Sequence, residues 1–165
     1  MGKLYNRADI VNFMKTADST NTYARMTGFT ESGKSLNSST YERRYVDEKT
    51  QRKDVTGYAT EIAYNFDRMT DNTVQDVIVE VHDKELTGKI VEIITVNFNE
   101  ETTTAGAYKA KKRSYSIIPD ADGDGTDAYQ YSGTFAAQGD IIEGIASTTD
   151  NWQSATFTEG AEEEE

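Results

Sequence analysis

Residues 58–67 read YATEIAYNFD. Tyr58, Thr60, Ile62, Tyr64 and Phe66 fall on one side of this stretch when residues are taken alternately. Ala59, Glu61, Ala63, Asn65 and Asp67 fall on the other. Side chains of a strand alternate between its two faces, so a period of two with aromatics on one side describes a half-buried strand. This stretch sets the expectation for the chain: antiparallel sheets with one dry face and one wet face.

Downstream, residues 70–88 (TDNTVQDVIVEVHDKELTG) carry two periods at once. Val77, Val79 and Val81 alternate, whereas Val74, Val77, Ile78 and Val81 follow the spacing of a helical stripe. Thr73 with Asp76 offers a capping pair and Gly88 a stop, so the expectation is a helix over about residues 73–86. Beyond it lie four strand candidates, KIVEIITVNF, AYKAKKRSYSII, AYQYSGTFAAQGD and IIEGIASTTD, and a short closing strand around WQSATF. Gly88, Gly106, Gly123, Gly125 and Gly139 punctuate them as turns.

Upstream, NTYARMTGFTE reads as one strand with Tyr23, Arg25, Thr27 and Phe29 on one side. DIVNFMK fits a helical face through Ile10, Phe13 and Met14, or a strand face through Val11 and Phe13. The expected fold class is mainly β, a β-sandwich or open barrel with one flanking α-helix, forming a single domain over residues 1–158. Residues 159–165 form an acidic tail, expected by composition to be disordered.

The segment from about residue 31 to 54 has almost no apolar periodicity and is expected as a long surface loop. Between Tyr41 and Asp54 it holds five basic and four acidic residues, with Tyr41, Tyr45 and Val46 set among them. Aromatic residues with arginine are enriched at protein interfaces. The inter-subunit contact candidates are therefore Tyr41, Arg43, Arg44, Tyr45, Arg52 and Lys53.

Composition excludes several function classes. There is no cysteine, which removes disulfides and thiolate metal sites. The first residues, MGKLYNRADIVNFMK, place charges inside their only apolar run, so no secretory signal is expected. No stretch approaches the length of a membrane span, and no membrane partner is expected. The net charge is −12, and removing the five acids of EGAEEEE still leaves −7. Affinity for nucleic-acid backbones comes from Lys and Arg neutralising phosphates, so stable DNA binding is not expected.

Catalytic chemistry is not expected either. His82 is the only histidine, read as an ordinary exposed residue beside Asp83, and one histidine without cysteine does not build a usual zinc site. No GxSxG elbow and no phosphate-binding glycine loop occurs. The stretch DADGDGTD, residues 120–127, spaces Asp120, Asp122 and Asp124 like the opening of a calcium loop. An EF-hand beginning at Asp120 needs an acid at its twelfth position, which is Tyr131, and needs helical flanks where strands are expected. The three aspartates are weak metal candidates, and a strand connection is the favoured reading. No cofactor is implied.

With these residues in place, the sequence resembles the major tail tube protein of long-tailed, siphovirus-like bacteriophages of Gram-positive hosts. The matching stretches are YARMTGFTESGKSLN, YERRYVDEKTQRKDVTGYATEIAYNFDR, AGAYKAKKRSYSIIPDADGDGTDAYQYSGTF and NWQSATF. The resemblance implies a β-sandwich with one helix at its side, and self-assembly into stacked six-membered rings around a lumen. It implies that the segment around 31–54 is the arm that reaches the next ring, with Arg43, Arg44, Arg52 and Lys53 meeting acids there. It further implies a tape measure protein, a tail terminator and distal tail proteins as partners, and DNA as passing cargo that is not bound. The place implied is the virion tail, after synthesis in the host bacterial cytoplasm. An acidic lumen suits passage of DNA, since an attractive wall slows it. The competing class is a β-sandwich that binds carbohydrate through exposed aromatics such as Trp152, assisted by calcium at residues 120–125.

Overall fold

A computed structural model of the chain describes residues 2–16, 21–123 and 126–160. Asp124, Gly125 and most of the acidic tail, residues 161–165, lie outside the described residues. The strands are β1 (Ile10–Lys15), β2 (Thr22–Arg25), β3 (Phe29–Ser35), β4 (Ser38–Arg43), β5 (Arg52–Tyr58), β6 (Glu61–Asp67), β7 (Ile90–Glu101), β8 (Tyr108–Asp122), β9 (Gln130–Ser147) and β10 (Ser154–Glu159). One α-helix, α1 (Thr73–Lys84), separates β6 from β7. The mainly β architecture with a single flanking helix is the one the alternation implies.

The main sheet runs β10-β2-β1-β7-β8-β9-β6-β3, and β10 also pairs with β9. That extra pairing closes β10, β2, β1, β7, β8 and β9 into a six-stranded barrel, with β6 and β3 continuing the sheet outside it. β9 serves both parts. Its first half, from Gln130 to Ala136, pairs with β6, and its last residues, Gly144 to Ser147, pair with β10.

β9 takes in two of the expected strands. Gly139 is not a turn between them: it lies inside β9 at φ 83°, where the partner register moves from Lys112↔Ile142 to Ser114↔Gln138. Glycine at positive φ supplies the bulge, and the strand bends without ending. The opposite correction applies to NTYARMTGFTE. Gly28, at φ 82°, divides it into β2 and β3, which lie at different places in the sheet. A Cβ on Gly28 would lie 2.8 Å from Gln75 Nε2, so the crossing point is also packed too closely for a side chain.

Two apolar clusters result. The barrel interior holds Val11, Phe13, Tyr23, Ile94, Val96 and Phe157 among its buried members. The second lies beneath α1, where Val74, Ile78 and Val81 meet Ile62, Tyr64 and Phe66 of β6 and Phe135 of β9. Burial of each such side chain stabilises the fold by roughly 1.5–3 kcal/mol. β7 contributes Val91 and Ile93 to one cluster and Ile94 and Val96 to the other, and is thus dry on both faces at its centre.

The helix starts at Thr73 as expected and ends at Lys84, but its cap lies one residue before Thr73. Asn72 is the N-cap and accepts a hydrogen bond from Gln75 N at 3.1 Å. The C-terminal left-handed position belongs to Glu85 (φ 51°), with Gly88 in the turn beyond. Gln75 is fully buried because the chain around it needs its amide: Oε1 accepts from Met69 N (2.7 Å), and Nε2 donates to Asp67 O (2.9 Å).

The stretch expected as a loop from 31 to 54 is mostly extended backbone. It completes β3 and then forms a two-stranded ribbon, β4 with β5, whose strands pair only with each other. The apolar alternation that flags a strand is missing because neither face of the ribbon is buried in the subunit.

Candidate functional site

The ribbon is built by local pairing. Glu42 lies opposite Lys53 and Tyr41 opposite Asp54, and Arg43 faces Arg52 at the start of the turn. Glu48 N donates to Tyr45 O at 3.0 Å and tightens that turn. At the base, Ala59 N donates to Leu36 O (3.1 Å) and Asn37 Nδ2 to Ala59 O (3.0 Å), which fixes where the ribbon leaves the domain.

The structure brings together four of the six contact candidates. The Arg43 guanidinium lies 5.0 Å from the Tyr41 ring and 5.4 Å from the Tyr45 ring, and Arg52 lies 5.4 Å from Tyr45. Arg43 Nε donates to Tyr45 Oη at 3.1 Å. The result is a row of alternating aromatic rings and guanidinium planes, in which each cation sits near the negative face of a ring.

The acids these cations meet are in the ribbon itself. Arg43 pairs with Asp54 (2.5 Å), Arg52 with Glu48 (2.6 Å) and Lys53 with Glu42 (3.3 Å). Three of the four cations expected to meet acids on another ring are thus paired with acids of their own ribbon. Of these four, only Arg44 has no ion-pair partner among the described residues.

What the ribbon leaves open is apolar. Leu36, Tyr41, Tyr45, Val46, Val55 and Tyr58 are all exposed, Val46 completely. Tyr58 was expected on the dry face of the 58–67 strand, but β6 begins at Glu61 and Tyr58 ends β5 in solvent. Leu36 and Val55 carried no signal as contact residues, because each is a lone apolar residue among polar neighbours. The outer edge of β3 is a second open feature: β3 pairs with β6 alone.

The aspartate motif has a different role from the one its spacing suggests. Asp120 and Asp122 belong to β8, with Ala121 opposite Ser132 and Asp122 opposite Tyr131. Gly123, at φ 84°, turns the chain and its N–H donates to Gln130 O at 2.8 Å. Asp124 lies outside the described residues. Among the described residues, no group of three or more His, Asp or Glu side chains is placed to hold a metal ion. The Asp122 carboxylate accepts from Tyr129 Oη at 3.1 Å and lies 3.7 Å from His82 Nδ1.

His82 is not an exposed residue. Its side chain is only 3% accessible, and Nε2 is 2.8 Å from Tyr64 Oη. With Nδ1–H turned toward Asp122, Nε2 accepts from the tyrosine hydroxyl. Burial lowers the imidazole's affinity for a proton, and the nearby Asp122 and Asp83 charges partly oppose this. Burial, followed by the Asp120 charge, raises the Tyr64 hydroxyl. The stripe of Gln75, Ile78 and His82 along α1 is the signal that places His82 toward the sheet. Enclosed to this degree, the ring offers no substrate a path to it.

Trp152 likewise is no platform. It is half-buried, with ring centroids 5.0 Å from Phe98, 5.7 Å from Tyr108 and 6.1 Å from Phe13.

No protein-family model matches the sequence, and no curated protein matches it. Solved structures do share its fold. A chain from the tail of an empty gene transfer agent particle, obtained by helical refinement with C6 symmetry, aligns with TM-score 0.57 and 11% identity over 84% of this chain and 97% of that one. A chain from the virion of the native gene transfer agent particle aligns with TM-score 0.56, also at 11% identity and the same coverage. A chain of the six-fold symmetrised baseplate of the anti-feeding prophage aligns with TM-score 0.53 and 8% identity over 87% of this chain and 97% of that one. The fold is thus one found in the tails and baseplates of phage-like particles.

Proposed function

We propose that this chain is the repeating subunit of a phage tail tube. It closes six-membered rings and stacks them into the hollow tube that conducts DNA. The observation that carries this reading is the ribbon: six large apolar side chains project from its strands, its turn and its base, and nothing among the described residues of the subunit covers them. A two-stranded hairpin is marginal alone in water, and exposed apolar surface of this kind is normally covered by a partner. The shared fold with chains of six-fold symmetric particles supports another copy as that partner. The open edge of β3 supports it too, because an unpaired edge is a liability unless a second chain completes it.

In this reading the segment over residues 31–54, which holds most of the ribbon, is the inter-ring arm of a single tail-tube domain, residues 1–158. The rings assemble on a tape measure protein, between a tail terminator and distal tail proteins, in the tail of a virion whose parts are made in a bacterial cytoplasm. The resemblance to siphovirus-like tubes of Gram-positive hosts supplies these partners. The carbohydrate-binding alternative loses its two supports, since Trp152 packs among aromatics and Asp122 is occupied by Tyr129 and His82.

Negative-stain electron microscopy of the purified protein over rising concentration tests the reading. Rings or tubes are the expected result. A monodisperse monomer at every concentration overturns it.

A further inference from the structure

The charges of β8 are sorted along its length. Lys109, Lys111 and Arg113 lie toward its start, Asp120 and Asp122 at its end. Lys111 and Asp122 belong to one face of the strand. Ala110 and Lys112 turn to the barrel interior, Lys112 over the Phe157 ring, so Lys109, Lys111 and Arg113 face away from it. Tyr115 and Ile117 follow on that same side, buried in the cluster beneath α1. The register shift between Pro119 and Ala121 then sets Asp122 opposite Tyr131, a member of the same cluster. At about 3.3 Å per residue, Asp122 lies roughly 35 Å from Lys111.

At the basic end a cavity of about 960 Å³ opens. Arg7, Lys34, Lys111 and Arg113 line it, and none of them has an ion-pair partner among the described residues. Lys109 lines it too and has a partner of its own. The carboxylates in the lining are Glu100 and Glu143. Arg7 is held by the Ile10 carbonyl oxygen (2.7 Å) and Arg113 by that of Gly139 (3.0 Å), whereas Lys34 and Lys111 extend into solvent. In a chain with a net charge of −12, this wall is locally of opposite sign.

The acidic end is built around an exposed aromatic ring. Tyr129 is 54% accessible, stands 5.3 Å from the Tyr131 ring, and donates to Asp122 at 3.1 Å. That bond raises the Tyr129 hydroxyl, and the Asp83 charge adds to it. Burial raises the Tyr131 hydroxyl, followed by the charges of Asp83 and Asp122. Asp83 and Asp120 are exposed and have no ion-pair partner among the described residues. Arg68, a cation close enough to act on Tyr131, is taken up by Asp76 at 2.7 Å.

We propose that the acidic end of one copy, Tyr129 with Asp83 and Asp120, seats in the basic cavity of the next, against Lys34, Lys111 and Arg113. The contact is heterologous: a copy that gives its acidic end keeps its own cavity free, so the series stays open instead of closing as a pair. The ribbon lies at the cavity's end of the domain. β6 leaves it at Glu61, and Ile62 already lines the cavity. Asp67, at the far end of β6, is level with Gln130 beside Tyr131. A copy seated in the cavity therefore meets the ribbon as well. The inference rests on the tube reading and adds an electrostatic contact to the apolar one that the ribbon offers.

Exchange of charge between the two ends tests it. Lys34→Glu with Lys111→Glu reverses the cavity, and Asp83→Lys with Asp120→Lys reverses the tip; all four side chains are exposed. In sedimentation at low salt, each reversed protein should need about tenfold more protein than wild type to associate. A chain with all four changes should regain wild-type association, because its ends are again complementary with the signs exchanged. If a reversed protein does not fold, the neutral pairs Lys34→Gln with Lys111→Gln and Asp83→Asn with Asp120→Asn take its place. Each neutral pair should weaken association severalfold, and both pairs together no further. Reversed or neutral proteins that associate like wild type overturn this contact and leave the tube reading standing. Losses that the fourfold variant does not restore, or neutral losses that add fully, overturn the pairing of these two ends. A wild type that stays monomeric at every concentration overturns the tube reading and this contact with it.

Discussion

The Tyr64 hydroxyl lies 2.8 Å from His82 Nε2 and ties the middle of β6 to the last turn of α1. Together with the Gln75–Asp67 contact at the other end of the helix, this polar bridge crosses an otherwise apolar interface, and Asp122 at the far side of the ring completes it. Removing the hydroxyl leaves the imidazole nitrogen buried without a donor. Tyr64→Phe should destabilise the subunit by about 1–3 kcal/mol in urea denaturation. His82→Phe, which removes the other partner too, should restore part of that loss in the double variant. Simple addition of the two single effects would break the coupling.

The same site predicts a pH dependence. Burial lowers the His82 pKa in the folded state below its unfolded value near 6.5, so the unfolded chain binds the extra proton first. The contribution is fully present above about pH 6.5 and is lost as pH falls toward the folded pKa. Stability measured from pH 7.5 down to 5 should decline in wild type, and the decline should shrink in His82→Phe. Asp122→Asn removes a charge that favours the imidazolium and should steepen it. A flat wild-type profile over this range would contradict the burial argument.

Gly133 sits on β9 where a Cβ would lie 2.5 Å from both Ile118 O and Tyr64 Oη. One of these is backbone and the other is fixed by His82, so neither gives way easily. Gly133→Ala should cost about 1–3 kcal/mol through forced displacement. Gly33→Ala on β3, which has open space around it, is the control and should change stability by under about 1 kcal/mol. Equal thermal shifts for the two would remove the steric explanation.

The ribbon separates folding from assembly. Replacing Tyr45 and Val46 together by serine removes no buried side chain but loses the Tyr45 contacts with Arg43 and Arg52 inside the ribbon, so the monomer's stability should move by no more than about 1 kcal/mol per site. Sedimentation should nevertheless show loss of the oligomer. Arg44→Glu is the cleanest charge test, because reversing Arg43 also breaks its pair with Asp54 inside the ribbon. Normal tubes from the Tyr45, Val46 and Arg44 variants would move the assembly contact elsewhere.

Calcium should leave the melting temperature unchanged beyond what an equal ionic strength of magnesium produces. Asp122 already accepts from Tyr129 and faces His82. A calcium-specific shift abolished by Asp122→Ala would return the aspartates to a metal site.

Periodicity made part of this structure legible and hid the rest for definite reasons. Ile62, Tyr64 and Phe66 announced β6 because one of its faces is dry, and α1 announced itself through Val74, Ile78 and Val81. β4 and β5 did not, since no face of them is buried within one subunit and alternation records burial alone. Glycine was read as punctuation, which holds at Gly123 and fails at Gly139, where a positive φ bends a strand that continues. The polarity of His82 masks its place on the buried α1 stripe. Arg43, Tyr41 and Tyr45 were singled out by residue type, yet their stacking depends on cross-strand register, which composition does not carry.

The order in which the barrel closes has a consequence for synthesis. β10 inserts between β2 and β9, so residues 154–159 join the chain's beginning to strands made much later. A nascent chain on the ribosome has every other strand before it has Ala155 and Phe157, and until they emerge the barrel interior stays open at that seam. Contacts between such distant segments form slowly. The subunit thus acquires a closed wall only after residue 159 is free of the exit tunnel.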